Sequence, residues 1–223
     1  MRSTPTYIDL SHTIEAGMIT YKGLPAPVIC DYLSREASRA LYAPGTEFQI
    51  GRIDLVANTG TYLDTPFHRF ENGLDLSQLT LSRLVHLEGI VIRVDGLQVK
   101  AIDVSYFEGL DLQGKAVLVH TGWDQFWRTD TYFENSPFLT EAAAQYLVSA
   151  GAVLVGIDAH NIDDTSGNTR PVHTTLLQNE ITIVEHLCNL QQVPTAGFTF
   201  SAVPPKIKGL GTFPVRAFAM VQP

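Results

Sequence analysis

The densest run of side chains able to bind a metal or carry a proton is Asn58-Thr-Gly-Thr-Tyr-Leu-Asp-Thr-Pro-Phe-His68. Asp64 and His68 stand four residues apart, close enough to share one metal ion or one proton path if the stretch coils helically. In that arrangement His68 serves as general base and then acid, with Asp64 orienting it or holding a metal. Gly60 and Pro66 mark the sharp backbone turns that aim such groups. Tyr62 and Asn58 offer hydrogen bonds to a substrate, and His160, in a loop at a strand's end, is a further base or ligand candidate. Plain structural roles compete with each assignment. Asp before Thr-Pro commonly caps a turn, a tyrosine can fill space, and a loop histidine is often only a satisfied polar group. His12, His86, His120 and His186 read as structural, and Trp123, Phe126 and Trp127 as core or pocket wall.

Several familiar signatures are missing. There is no GxSxG elbow, no GxxxxGK[ST] loop, no GxGxxG opening a helix, no HExxH and no EF-hand loop. Serine hydrolase, NTPase, Rossmann and zincin readings thereby lose their main support.

The elements that must hold the cluster follow from apolar patterning. Ile53 to Ala57, Gly89 to Asp95, Ala116 to His120, Ala152 to Asp158 and Ile181 to Glu185 are short Val/Ile/Leu-rich runs bounded by Gly, Asp or Asn, which predicts strands in the middle of a sheet. The polar cluster follows the first of these, where a chain leaving a sheet can line a cleft. Thr140 to Gly151 predicts a capped, Ala-rich helix that stops at its glycine. Phe198 to Val203 and Val215 to Val221 add β structure, while Thr13 to Pro27 and Asp124 to Pro137 read as loops folded over the sheet. The class is α/β, a mixed sheet with flanking helices. Without repeats or linkers, residues 1–223 form a single domain.

Composition narrows the function. The chain has 45% hydrophobic and 17% charged residues, which excludes global disorder. A net charge of -8 without basic runs argues against nucleic acid as a partner. No apolar stretch is long enough to span a membrane, and the first ten residues carry Pro5 and Asp9 in place of an apolar signal core, so a cytoplasmic location is expected. Cys30 and Cys188 form no CxxC pair and read as buried thiols.

The cluster resembles the HxGTHxDxPxH motif of the cyclase family of hydrolases, which includes kynurenine formamidases and isatin hydrolases. Gly60, Thr61, Asp64, Pro66 and His68 match, whereas Asn58 and Tyr62 replace the first two histidines. Ile8-Asp-Leu-Ser-His12, His120-Thr-Gly-Trp123, Val155-Gly-Ile-Asp158 and His173-Thr-Thr-Leu-Leu177 leading to Glu185 extend the likeness along nearly the whole chain.

The resemblance implies the swivelling β/β/α kynurenine formamidase-like fold, a homo-oligomer (dimer or tetramer) and a small-molecule substrate. It also implies a divalent metal, Zn or Mn, on Asp64, His173 and Glu185, with His68 as the proton-transfer group. The expected activity is hydrolysis of an amide, lactam or lactone in a small cyclic or aromatic molecule. Asn and a phenol of pKa about 10 replace imidazole poorly as metal ligands, so the family's other metal set is expected to be lost and turnover of N-formylkynurenine to be weak or absent. A metal-free dehydratase or isomerase, or a catalytically inactive small-molecule-binding member, are the alternatives.

Overall fold

A computed structural model describes residues 4–222 of the chain. Strand β1 (Thr6–Asp9) is followed by a hairpin of β2 (Val28–Leu33) and β3 (Ile50–Asp54), with helix α1 (Arg35–Leu41) inside its loop. Next come β4 (Tyr62–Asp64), β5 (Leu87–Arg93), β6 (Ala101–Ile102), β7 (Ala116–His120), β8 (Phe138–Leu139) and helix α2 (Glu141–Ser149). The chain ends with β9 (Leu154–Ile157), helix α3 (Pro171–Gln178), β10 (Thr182–Glu185), β11 (Phe198–Ser201), β12 (Thr212–Pro214) and β13 (Phe218–Val221).

Nine strands form one mixed sheet in the order β1-β13-β11-β5-β7-β9-β10-β4-β12. Its centre, β5-β7-β9-β10, is parallel, and every other neighbour is antiparallel. Parallel strands are covered on both faces, so they read as continuous apolar runs such as Ala116-Val-Leu-Val. The two faces bury separate cores. Val117, Val119, Val155, Ile157 and Ile183 pack under α2 and α3 on one side, and Leu63, Leu118, Leu154, Val184 and Phe200 pack on the other. Fully burying each such aliphatic side chain contributes about 1.5–3 kcal/mol.

Helix α2 begins as its sequence predicts: the Thr140 hydroxyl accepts the Ala143 N–H at 3.1 Å, and the alanines at 143 and 144 let the helix lie close on the sheet. Among the described residues no helix is long and apolar enough to cross a membrane.

Two expectations need correction. Ile53 to Ala57 is not a central strand: Ile50–Asp54 pairs only with β2, and all five of its residues are exposed. Strand propensity reports suitability for a pleated surface without saying which surface, and the Gly51-Arg52 interruption sets this run apart from β7. Cys30 lies exposed on that same hairpin, whereas Cys188 is buried as expected.

Candidate active site

The polar cluster is built around a strand and a short 3₁₀ turn, not a continuous helical coil. Successive side chains of a strand point to opposite faces, so Tyr62 and Asp64 share one face of β4 while Leu63 enters the core on the other. Register then fixes their partners. Tyr62 lies opposite Glu185 of β10, and Asp64 lies opposite Thr212 of β12. Both cross-strand pairs are hydrogen-bonded: the Tyr62 hydroxyl donates to Glu185 Oε2 at 2.6 Å, and the Thr212 hydroxyl donates to Asp64 Oδ1.

After β4 the chain makes a 3₁₀ turn, Pro66–His68, with proline in the first turn where its missing N–H costs nothing. Gly211 packs against this turn so closely that a Cβ there would collide with the His68 backbone. The turn brings His68 Nδ1 to 2.7 Å from Thr212 Oγ1 and 3.5 Å from Asp64 Oδ1. Because the Thr212 hydroxyl spends its one proton on Asp64, it accepts from His68 Nδ1–H. That fixes the tautomer and leaves His68 Nε2 as a lone pair on a half-exposed ring at the cleft.

His173 comes from the first turn of α3. Asp163 caps that helix, accepting the Val172 N–H at 2.7 Å and the His173 N–H at 3.0 Å, and it also takes His173 Nδ1 at 2.6 Å. The other ring nitrogen, Nε2, faces Asp64 Oδ2 and Glu185 Oε1, each at 3.7 Å. Burial alone would lower the His173 pKa, but Glu185, Asp163 and Asp64 outweigh it and hold the group up to about 10. Burial pushes Glu185 up to about 7 against the pull of the His173 charge. Burial, then Glu185 and Asp64, drive the Tyr62 phenol far above its usual value, so it stays a neutral donor.

These groups meet in a cleft of about 280 Å³ lined by Asn58, Tyr62, His68, His173 and Glu185 from the floor, with Tyr21 and Leu24 from the segment preceding β2. Five of the seven residues singled out in the sequence thus line the cleft, and the sixth, Asp64, is buried behind the lining with Oδ2 3.7 Å from His173 Nε2. His160 lies beside the cleft and not in its lining. It is packed with His12 and His186 in a nest of aromatic rings, where His12 stacks on Trp127 at 3.8 Å and Tyr132 hydrogen-bonds His186 at 2.9 Å. Burial lowers all three histidines, His12 and His160 to about 4.

The cleft fits a cation. Asp64 Oδ2 is buried without a hydrogen-bond partner, opposite an imidazole nitrogen whose ring is oriented by a second carboxylate, the usual outer support of a metal-binding histidine. Asp64, His68 and His173 each offer a ligand atom within 4.8 Å of the others, and Glu185 Oε1 approaches the same His173 nitrogen. Three supports escaped the sequence reading: Thr212, Asp163 and the pair of arginines, Arg69 and Arg170, at the cleft's rim. Asp163 left a signal as an acidic residue shortly before the proline that starts α3; Thr212 left none.

The fold and site belong to a known class. A family model described as putative cyclase matches residues 8–164, and the chain belongs to the cyclase family of hydrolases. A kynurenine formamidase of Geobacillus thermodenitrificans (strain NG80-2) is 30% identical over 176 residues, covering 75% of this chain and 78% of that one. Among solved structures, a potential metal-dependent hydrolase with cyclase activity superposes with a TM-score of 0.80 at 27% identity, covering 99% of this chain and 100% of that one. Isatin hydrolase A from Labrenzia aggregata, bound to benzyl benzoate, superposes with a TM-score of 0.83 at 20% identity, covering 98% and 94%.

Proposed function

We propose that this protein hydrolyses an amide, lactam or lactone bond in a small cyclic or aromatic molecule. The observation that carries this reading is the relay His68–Thr212–Asp64, which leaves His68 Nε2 free at the cleft. His68 takes a proton from the attacking water at Nε2 and returns it to the departing nitrogen or oxygen, a role worth about 10²–10⁴ in rate. Thr212 and Asp64 steady the imidazolium formed in between. Tyr21 and Leu24 limit water around the reacting carbonyl.

We assign a divalent ion of the Zn or Mn type to Asp64 and His173 with Glu185 beside them, although the ligand atoms that lie together are those of Asp64, His68 and His173 and both Glu185 oxygens accept hydrogen bonds; when bound the ion would supply Lewis-acid polarisation of the carbonyl. His68 is kept apart from that set as the proton carrier, because its ring is the exposed one. Tyr62 acts on Glu185, and Asn58 lines the wall. The names of the relatives support carbon–nitrogen bonds as the target class, while Asn58 and Tyr62 argue against efficient use of N-formylkynurenine.

We treat residues 1–223 as one domain, since β1 and β13 bring the two ends of the described chain together in one sheet. A homo-oligomer is supported by the β2–β3 hairpin, whose Val28, Ile29, Tyr32 and Ile53 are 43–76% exposed, an apolar surface suited to a second copy.

The test is a panel of aryl lactones, lactams and amides, N-formylkynurenine included, assayed with Zn²⁺, Mn²⁺ or EDTA. Turnover that disappears in H68A supports the reading, with N-formylkynurenine below a kcat/KM of about 10⁴ M⁻¹s⁻¹. An inert panel or a fully active H68A overturns it.

A further inference from the structure

The cleft of an acidic protein is rimmed by two arginines, Arg69 and Arg170, that form no close ion pair among the described residues; the nearest acidic influence on Arg170 is Asp164, outside the cleft lining. Arg69 follows His68 directly, and its Nε donates to the Thr174 hydroxyl at 3.1 Å, which lays the guanidinium along the first turn of α3 beside His173. Thr174 in turn donates to the Arg170 carbonyl at 2.8 Å, so both arginines are tied to one point of the cleft wall. Arg170 uses Nη1 to hold the carbonyls of Asp164, Gly167 and Thr169. Among the described residues neither guanidinium forms an ion pair, and Arg69 Nη1 and Nη2, like Arg170 Nε and Nη2, have no protein acceptor.

Among the described residues, four of the seven other arginines behave differently: Arg39, Arg83, Arg128 and Arg216 each pair with a carboxylate. With 23 acidic residues against 15 basic ones, two unpaired arginines side by side at a cleft are not what the composition predicts. The floor of the cleft, by contrast, holds buried Asp64 and Glu185. An anionic group on a ligand is thus repelled from the floor and attracted to the rim, and a guanidinium is the side chain whose fork matches a carboxylate.

We propose that the substrate carries a carboxylate, and that Arg69 and Arg170 are the specificity-determining residues that hold it at the rim while the scissile carbonyl faces His68. This rests on the hydrolase reading of the same cleft and names its substrate class: a small aromatic or cyclic acid with a separate amide, lactam or lactone bond. Rim placement also sets polarity. A neutral analogue loses its anchor while keeping its fit to the floor, so discrimination resides in binding and in KM more than in kcat.

Two matched pairs of probes separate this inference from the reading beneath it. Binding is measured by calorimetry with terephthalamate and its neutral isostere terephthalamide. Turnover is measured with 5-carboxyphthalide and phthalide. The expected result is that terephthalamate binds at least about tenfold tighter than terephthalamide. In R69Q/R170Q that preference should fall toward one, in R69Q alone it should drop at least about threefold, and added salt should shrink it in the native protein. R69Q matters because Arg170 also holds a loop, so the double variant alone could fail through misfolding. Equal binding of the two amides, binding of neither, or a preference untouched in R69Q overturns the carboxylate assignment. Failure to open either lactone counts against hydrolysis and leaves the binding result to decide the rim.

Discussion

His173 sits against Asp163, Asp64 and Glu185, whereas His12, His160 and His186 sit among Trp127, Tyr132, Phe133 and Tyr21. All four have lost most of their water. Where carboxylates replace it, the imidazole is driven toward its charged form; where ring faces replace it, nothing compensates the lost hydration and the neutral form wins. The two groups are neighbours, since His186 follows Glu185 directly and its ring lies 5.1 Å from that of Tyr62. Residue type therefore says little about whether a histidine is part of the chemistry. What it packs against decides.

The sharpest test of this division is to remove a histidine of the cleft, His68, beside His173, and one of the aromatic nest, His186. H68A should lower kcat/KM by about 10²–10⁴ while changing unfolding free energy by less than about 1 kcal/mol, because its ring is partly solvated. H186A should do the opposite, keeping activity within a few-fold but losing about 1–3 kcal/mol as the buried Tyr132 hydroxyl is left without its partner. Steady-state kinetics and urea unfolding of both variants would show a crossed pattern. If H186A proved the inactive one, the division between the groups would be wrong.

Metal content offers the second comparison. Elemental analysis should find the divalent ion lost from D64A and retained in H160A. Undiminished metal in D64A would remove the carboxylate side of the contrast altogether.

A smaller effect is expected from the link between Asp64 and His68. T212V should cost about 10–100-fold, mainly in kcat, and T212S should restore most of it. A T212V enzyme with an unchanged kcat would mean that the hydroxyl is only packing.

The last test concerns pH and the aromatic nest. His12 and His160 are lowered from 6.5 to about 4 in the fold. Between those values the unfolded chain binds protons that the folded chain refuses, so stability falls as pH drops from about 6.5 and the loss is complete below about 4. H160F should flatten this acid limb by an amount on the order of 1 kcal/mol, read from urea midpoints at pH 7 and pH 4.5. An unchanged slope would show that His160 is not among the groups that resist protonation.

Much of the frame was legible in the sequence. The continuous apolar runs of β7, β9 and β10, and the Thr140 cap of α2, each carry local signals that tertiary context did not overrule. The site's main residues were legible because they sit in one motif and at its two distant partners, His173 and Glu185. What escaped was set by register. Thr212 lies 148 positions from Asp64 and becomes its neighbour only through a three-residue strand ending in Pro214, where no local pattern points. β4 itself carries no recognisable signal, because three strand residues among polar neighbours give too short a period, and the stretch reads as chain leaving a sheet. The hairpin of β2 and β3 misled in the other direction, since its β-forming residues face outward.

That three-residue strand makes the site forgiving of substitution and intolerant of changes in chain length. Backbone register alone sets position 62 opposite Glu185, and the tyrosine there uses its hydroxyl to complete the pair. A single inserted or deleted residue between Gly60 and Asp64 would turn the strand over, sending Leu63 toward the cleft and a carboxylate into the core beside Leu118 and Val184. Laboratory evolution of new activities in this chain should therefore accept exchanges at positions 58, 62 and 69, while libraries that vary the length of this stretch should yield almost no folded protein.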